Sequence, residues 1–362
     1  MTHRKNDMNS PQMLSVFDSS TDCKMLHASQ VENESAVILL RSRITAITYR
    51  LGYSELKREN MLLVVSEMVS NQLKHAGGHG LIQLWQQPGA LLDIVALDYG
   101  AGIANLENAE KDGYSTAHTL GKGLGSIRRL SDESYIYTQT TKPGVAKKWT
   151  GALFLARFRL DKPGIDSSVE VKPEIGFFSR SLSDDRFNGD RIYMHREKDR
   201  LRWLHLDGLG HGEEAQHATS HLAAHLAHCE THAELLAAID RQLRNTRGAV
   251  AIAAELNMKD RLLNVIGVGD MHAHIIDGRE MQNLSFAPGI LGKEHKIPVP
   301  YKLNFGKRCL VMTCSDGIRR NWDESNFTGL FQHAPQLIAY VLGNVMGRIS
   351  DDQSFCIVKI DS

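Results

Sequence analysis

The stretch Leu204–Ala215, LHLDGLGHGEEA, closes an apolar run on an aspartate and follows it with three glycines in five residues. Glycine loops after strands often cradle phosphate, but a cradle leads its glycines into a helix start and adds a lysine or serine. This stretch has no lysine, and Asp207 would repel a phosphate unless a cation lay between them. Comparable aspartates recur at Asp190 in FNGDRIY, Asp316 in CSDGI and Asp351 in SDDQSF. Any one of them could simply begin a turn, the usual fate of Asp-Gly. Four carboxylates at the ends of strand-like runs instead suit hard divalent cations.

Around this stretch, 362 residues with 42% hydrophobic content can fill two ordinary cores. Lys+Arg and Asp+Glu balance at 42 each, so bulk charge points to neither nucleic acid nor an anionic membrane. The five cysteines are odd in number and scattered without a CxxC pair, poor material for a disulfide framework or structural zinc. No apolar run approaches membrane-spanning length and the start MTHRKNDMNS lacks a signal-peptide core, so a cytoplasmic protein is expected.

Residues 1–28 read as a polar tail, 29–160 as a first domain, and 174–362 as a second. Between them, DKPGIDSSVEVKPE combines Pro, Gly, Ser and charges without periodicity, so 161–173 reads as a linker. Helical spacing predicts helices over Glu34–Leu51 and Leu56–His75, the second stopped by Gly77 and Gly78. Strands are expected at 81–85, 91–98 and 152–160. In the second half, β-like runs such as DRIYMHR, LRWLHLD, GAVAIAAEL, LLNVIGVG and CLVMTCSD surround helical stretches at 213–245 and 334–348. The fold class is α+β.

The first half carries a second constellation. Glu67 and Asn71 are four apart and share a helix face, where a carboxylate and an amide can serve a proton transfer and a magnesium ion. Asp98 ends a strand and opens DYGAGI, whose Gly100 and Gly102 let the backbone approach a flat ligand. LGKGLGSIRRL runs from Gly121, Gly123 and Gly125 into a helical pattern whose N–H groups can bind phosphate. In this order the three elements resemble the ATP-binding fold of the GHKL superfamily. LGYSELKRENMLLVVSEMVSNQLKHAGG, DYGAGI and KDGYSTAHTLGKGLGSIRRLSDES narrow it to the small serine/threonine kinases of anti-sigma pathways, most closely the stressosome switch kinase. The resemblance covers about residues 30–160, with Thr119 where that family often has a glycine. It implies an α/β sandwich of helices on one mixed sheet that binds ATP and Mg²⁺. Asn71 would hold magnesium, Glu67 would be the general base, and Asp98 would contact adenine. Gly100 and Gly102 would lie beside the nucleotide, under a lid of Gly121, Gly123 and Gly125.

The set NGD, DGLGHGxxA, SDGI and DDQS is similar to the type 2C superfamily of metal-dependent protein phosphatases, in particular its sporulation-phosphatase branch. That resemblance, from about Glu174 onward, implies an αββα sandwich holding two Mn²⁺ or Mg²⁺ ions. Asp190, Asp207 and the Gly208 carbonyl would be ligands, with Asp316 and Asp351 completing the second site and water attacking a phosphoserine or phosphothreonine in line. Asp352 reads as a supporting group, and Asp270 in GVGDMHA as a turn residue. His217, His221, His225, His228 and His232 would form one helical stripe opposite Leu222, Leu226 and Leu235. A solvated face is the plain reading of that stripe, with a metal stripe or a pH-sensitive partner surface as sharper ones.

The two resemblances together imply a bifunctional partner-switching regulator that phosphorylates and dephosphorylates a STAS-domain protein, and a homodimer is compatible with them. A nucleotide-dependent adaptor with only the phosphatase active is the alternative, and a chaperone-type ATPase is more remote.

Overall fold

The computed structural model describes residues 23–77, 79–106, 123–140, 148–161, 173–278 and 280–361. The first half builds a five-stranded sheet in the order β1-β2-β3-β5-β4. Its strands are β1 (Lys24–Val31), β2 (Gly80–Gln87), β3 (Leu91–Asp98), β4 (Glu133–Gln139) and β5 (Gly151–Arg159). Every pairing in it is antiparallel, so the sheet is not the mixed one expected. β1 starts at Lys24, inside the stretch read as a polar tail. The linker residues 162–172 lie outside the described residues.

Among the described residues, three helices cover one face: α1 (Ser35–Leu51), α2 (Glu55–His75) and α3 (Gly123–Leu130). Gly52 closes α1 in the left-handed region at φ 85°, and the Ser54 hydroxyl accepts from Lys57 N to start α2. Leu40, Ile44, Met61, Val65 and Met68 pack from these helices onto Ile82, Leu84, Ile94 and Ala96 of the sheet.

The second half stacks two antiparallel sheets, ordered β13-β10-β9-β8-β7 and β12-β11-β14-β15-β6. The first contains β7 (Asp190–Glu197), β8 (Arg200–Gly208), β9 (Ala249–Asn257), β10 (Leu262–Val268) and β13 (Tyr301–Asn304). The second contains β6 (Glu174–Arg180), β11 (His272–Asp277), β12 (Glu280–Leu284), β14 (Arg308–Cys314) and β15 (Gln353–Asp361). Alternation along β8 sends Leu204 and Leu206 outward and Leu201 and Trp203 into the core between the sheets. Outside lie α4 (Glu213–Thr219), α5 (Ala223–His228) and α6 (His232–Leu243) on one side and α7 (Pro335–Met346) on the other. The expected αββα layering is present.

The single helical stretch expected over 213–245 is three short helices. His221 sits at φ 61° between α4 and α5, and Thr231 starts α6 afresh with a reciprocal capping box to Glu234. The five histidines therefore do not form one stripe, while Leu222, Leu226 and Leu235 are core residues as expected.

α7 belongs to both halves. The other face of the first half's sheet presents Trp85, Val95, Leu97, Leu153 and Leu155 to a core that also contains Phe178, Leu337 and Tyr340. The Trp85 ring lies 4.9 Å from Phe178 and 5.4 Å from Tyr340, centroid to centroid. Asp93 is fully buried on this face and accepts from Arg157 Nε and Nη2, both at 2.7 Å. The Tyr340 hydroxyl donates to Asp93 Oδ2 at 2.9 Å and accepts from Gln87 Nε2 at 2.7 Å. A buried ion pair of the first half is thus capped from the second.

Candidate nucleotide and metal sites

In the first half, α2 ends against the loop that follows β3. Glu67 and Asn71 lie one turn apart on α2, both half-buried. Asp98 is 9% exposed; its Oδ1 accepts from Gly100 N at 2.9 Å and Ala152 N at 3.2 Å. Burial raises the Asp98 carboxyl, opposed by those two N–H groups. Trp149 Nε1 donates to the Asp98 carbonyl at 2.9 Å, and Thr138 Oγ1 accepts from Ile103 N at 2.7 Å. Gly102 has φ 76°, and a Cβ there would meet the Gln139 carbonyl at 2.4 Å, so only glycine lets this loop lie on β4. Thr138 and Trp149, which brace the loop, carry no motif in the sequence. Gly125 lies in α3 and Gly123 begins it, whereas Gly121, Thr119 and DGYST fall outside the described residues.

In the second half, register brings the acidic groups together. Asp190 and Asp207 are direct cross-strand partners at the ends of β7 and β8. Gly208 follows at the point where α4 crosses, and a Cβ there would meet the Ala215 carbonyl at 2.5 Å. This contact accounts for the first glycine of DGLGHGEEA. Asp316 follows β14 and Asp351 precedes β15, on neighbouring paired strands. Burial lifts the Asp207 carboxyl far above the usual carboxylate range, and Asp190, Asp316, Asp351 and Asp270 add repulsion. Burial likewise raises Asp190, Asp316 and Asp351. Asp270, read as a turn residue, is therefore also part of this field.

Asp352 has a different task. Its Oδ1 accepts from Leu182 N and its Oδ2 from Gly189 N, both at 2.7 Å, so it clamps the loop that delivers Asp190. This fits the supporting role expected of it.

Among the described residues, no three His, Cys, Asp or Glu side chains converge as a ready-made metal cage. The carboxylates nevertheless fit a divalent cation. Asp190 is 2% exposed and its Oδ1 is buried without a hydrogen-bond partner, a costly state that a cation relieves. The available donors are oxygens, which suits Mg²⁺ or Mn²⁺.

These raised carboxyls set a pH dependence. Their folded-state pKa lies above the unfolded one, so the stability they contribute is fully present below the ordinary carboxylate range and is lost as pH rises through the raised values. A cation binds only where the protons have left. Mn²⁺ is expected to raise the thermal midpoint clearly at about pH 7.5 and little at about pH 5. Thermal denaturation with and without Mn²⁺ at both pH values checks this, and equal shifts would contradict it.

Residues 31–145 match the histidine kinase-like ATPase domain family. The chain is 28% identical over 106 residues to the serine/threonine-protein kinase RsbT of Bacillus subtilis, a match spanning 29% of this chain and 80% of RsbT. Similar solved structures include RsbX in complex with magnesium, at 17% identity and TM-score 0.46 over 54% of this chain and 99% of that one. Another is the PP2C phosphatase domain of SpoIIE from Bacillus subtilis with a fragment of its regulatory domain, at 15% identity and TM-score 0.44 over 90% of this chain and 96% of that one. Among the described residues, no helix is long and apolar enough to cross a membrane.

Proposed function

We propose that this chain is a bifunctional regulator of partner switching: an ATP-dependent protein serine/threonine kinase joined to a metal-dependent protein phosphatase that acts on the same serine or threonine. The substrate is a STAS-domain protein. One observation carries this reading: a nucleotide domain related in sequence to a serine/threonine kinase shares its chain with a strand-end carboxylate cluster containing an orphaned buried oxygen.

In the kinase half, Asp98 would contact the adenine while its Oδ1 keeps the loop in place. Glu67 takes the proton of the acceptor hydroxyl. Asn71 would hold Mg²⁺, which when bound offsets charge on the phosphates. In the phosphatase half, Asp190, Asp207, the Gly208 carbonyl, Asp316 and Asp351 would hold two Mn²⁺ or Mg²⁺ ions. When bound, these ions lower the pKa of water and clamp the phosphoryl oxygens. Asp352 keeps the Asp190 loop seated throughout.

The test is Glu67→Ala with a purified STAS-domain protein and ATP. Phosphoryl transfer, followed by intact mass, is expected to fall by about 10²–10⁴-fold while ATP affinity stays within about twofold. A wild type that binds ATP and transfers nothing would instead favour the adaptor reading.

A further inference from the structure

Behind the carboxylates lies a run of side chains that none of these roles uses. His205, on β8 two residues before Asp207, shares its inward face and is completely buried. Its Nδ1 lies 2.9 Å from Thr313 Oγ1 and its Nε2 2.7 Å from Ser354 Oγ. The Ser354 hydroxyl donates at 2.7 Å to Asp190 Oδ2, while its backbone N–H donates to Ser315 Oγ at 3.0 Å. A hydroxyl has one proton to give. With that proton directed at Asp190, Ser354 Oγ accepts from His205, so Nε2 carries the imidazole hydrogen and Nδ1 accepts from Thr313.

The relay runs one way, from Thr313 through His205 and Ser354 to Asp190, and it joins β8 of one sheet to β14 and β15 of the other. In LRWLHLD the neighbouring inward residues are Leu201 and Trp203, and burying an imidazole among them costs free energy unless both nitrogens are satisfied. Here both are. The relay reaches Asp190 at Oδ2, the Ser315 hydroxyl also lies against this carboxylate, and Oδ1 is buried with no hydrogen-bond partner.

We infer that His205 is a positioning residue which, through Ser354, holds the Asp190 carboxylate by one oxygen so that the other serves the cation. The inference rests on the reading of Asp190 as a metal ligand. Groups that orient a ligand from behind typically matter about 10–100-fold in metal affinity.

The experiment titrates full-length protein with Mn²⁺ by calorimetry, with thermal midpoints recorded alongside. His205→Leu and Ser354→Ala should each weaken Mn²⁺ binding about 10–100-fold, and the double variant should lose no more than either single one. His205→Gln, whose amide can still donate to Ser354, should recover much of the loss. Long-range ¹H–¹⁵N spectra of the wild type should show His205 protonated at Nε2, a readout independent of how the variants fold. Wild-type affinity in His205→Leu, additive losses, or a hydrogen on Nδ1 would overturn the inference. Asp207→Asn separates the two levels. If it leaves Mn²⁺ binding intact, the metal reading falls and the inference with it; if it abolishes binding while His205→Leu does not weaken it, the inference alone falls.

Discussion

Asp207→Asn is expected to abolish dephosphorylation and, in the absence of metal, to make the protein more stable. The two effects have one cause. Asp207 is set directly across from Asp190 on the paired strand, with Asp316, Asp351 and Asp270 near enough to raise its carboxyl beyond the effect of burial. Like charges directly opposite in a sheet are destabilising, and the asparagine removes one of them without changing shape. Its gain should be on the order of 1 kcal/mol, about 2–4 °C in the thermal midpoint of a domain this size. It should grow as pH rises, because the repulsion exists only while the carboxyls are ionised. On the proposed reading, the same substitution also removes a ligand oxygen. Turnover should fall by more than about 100-fold, beyond the range for groups that only support a ligand. Calorimetric melting in chelator at two pH values, beside phosphoserine release, reads both effects. A variant less stable than wild type without metal would show that Asp207 is held by contacts rather than strained by its neighbours.

The second large effect lies at the boundary between the halves. Asp93→Ala leaves Arg157 charged and 12% exposed, with its bidentate partner gone and only the half-buried Glu133 at 3.7 Å against it, and it removes the acceptor of the Tyr340 hydroxyl. Breaking one side of a buried pair costs about 3–5 kcal/mol. Tyr340→Phe keeps the ion pair and loses only the hydroxyl's two hydrogen bonds, for about 1–2 kcal/mol. Because α7 packs on both the kinase-like sheet and β6, the Asp93→Ala loss should appear in the unfolding of the second half too. Urea unfolding followed by Trp203 fluorescence, with the other tryptophans replaced by phenylalanine, measures it. A Trp203 transition unmoved by Asp93→Ala would mean that the halves unfold independently.

Much of this was legible in the residues themselves. Runs such as LLDIVALD and LRWLHLD are strong enough to declare strands, and the aspartates at their ends stand out because a carboxylate there is otherwise costly. β1 was hidden because KMLHASQV is an edge strand with a bulge between Met25 and His27, which erases the alternation. The break of the histidine-rich stretch depends on one residue, His221, taking a positive φ, which helical spacing does not signal. Asp93 reads as an oddity inside an apolar strand because its partner Arg157 and its cap Tyr340 are far along the chain. Thr138, Trp149 and His205 escaped for the same reason: each matters through a partner that only the fold brings near. Asp270 does lie at the turn between β10 and β11, but a turn residue can also contribute its charge to a site.

The central claim is that one chain writes and erases the same phosphate. It is tested most directly by incubating the protein with ATP, Mg²⁺, Mn²⁺ and a purified STAS-domain protein, and following phosphoserine by mass over time. The wild type should give a partial steady state, Asp207→Asn should drive phosphorylation to completion, and Glu67→Ala should clear a pre-phosphorylated substrate without adding phosphate. Identical phosphorylation time courses for wild type and Asp207→Asn, with no release from the pre-phosphorylated protein, would contradict it.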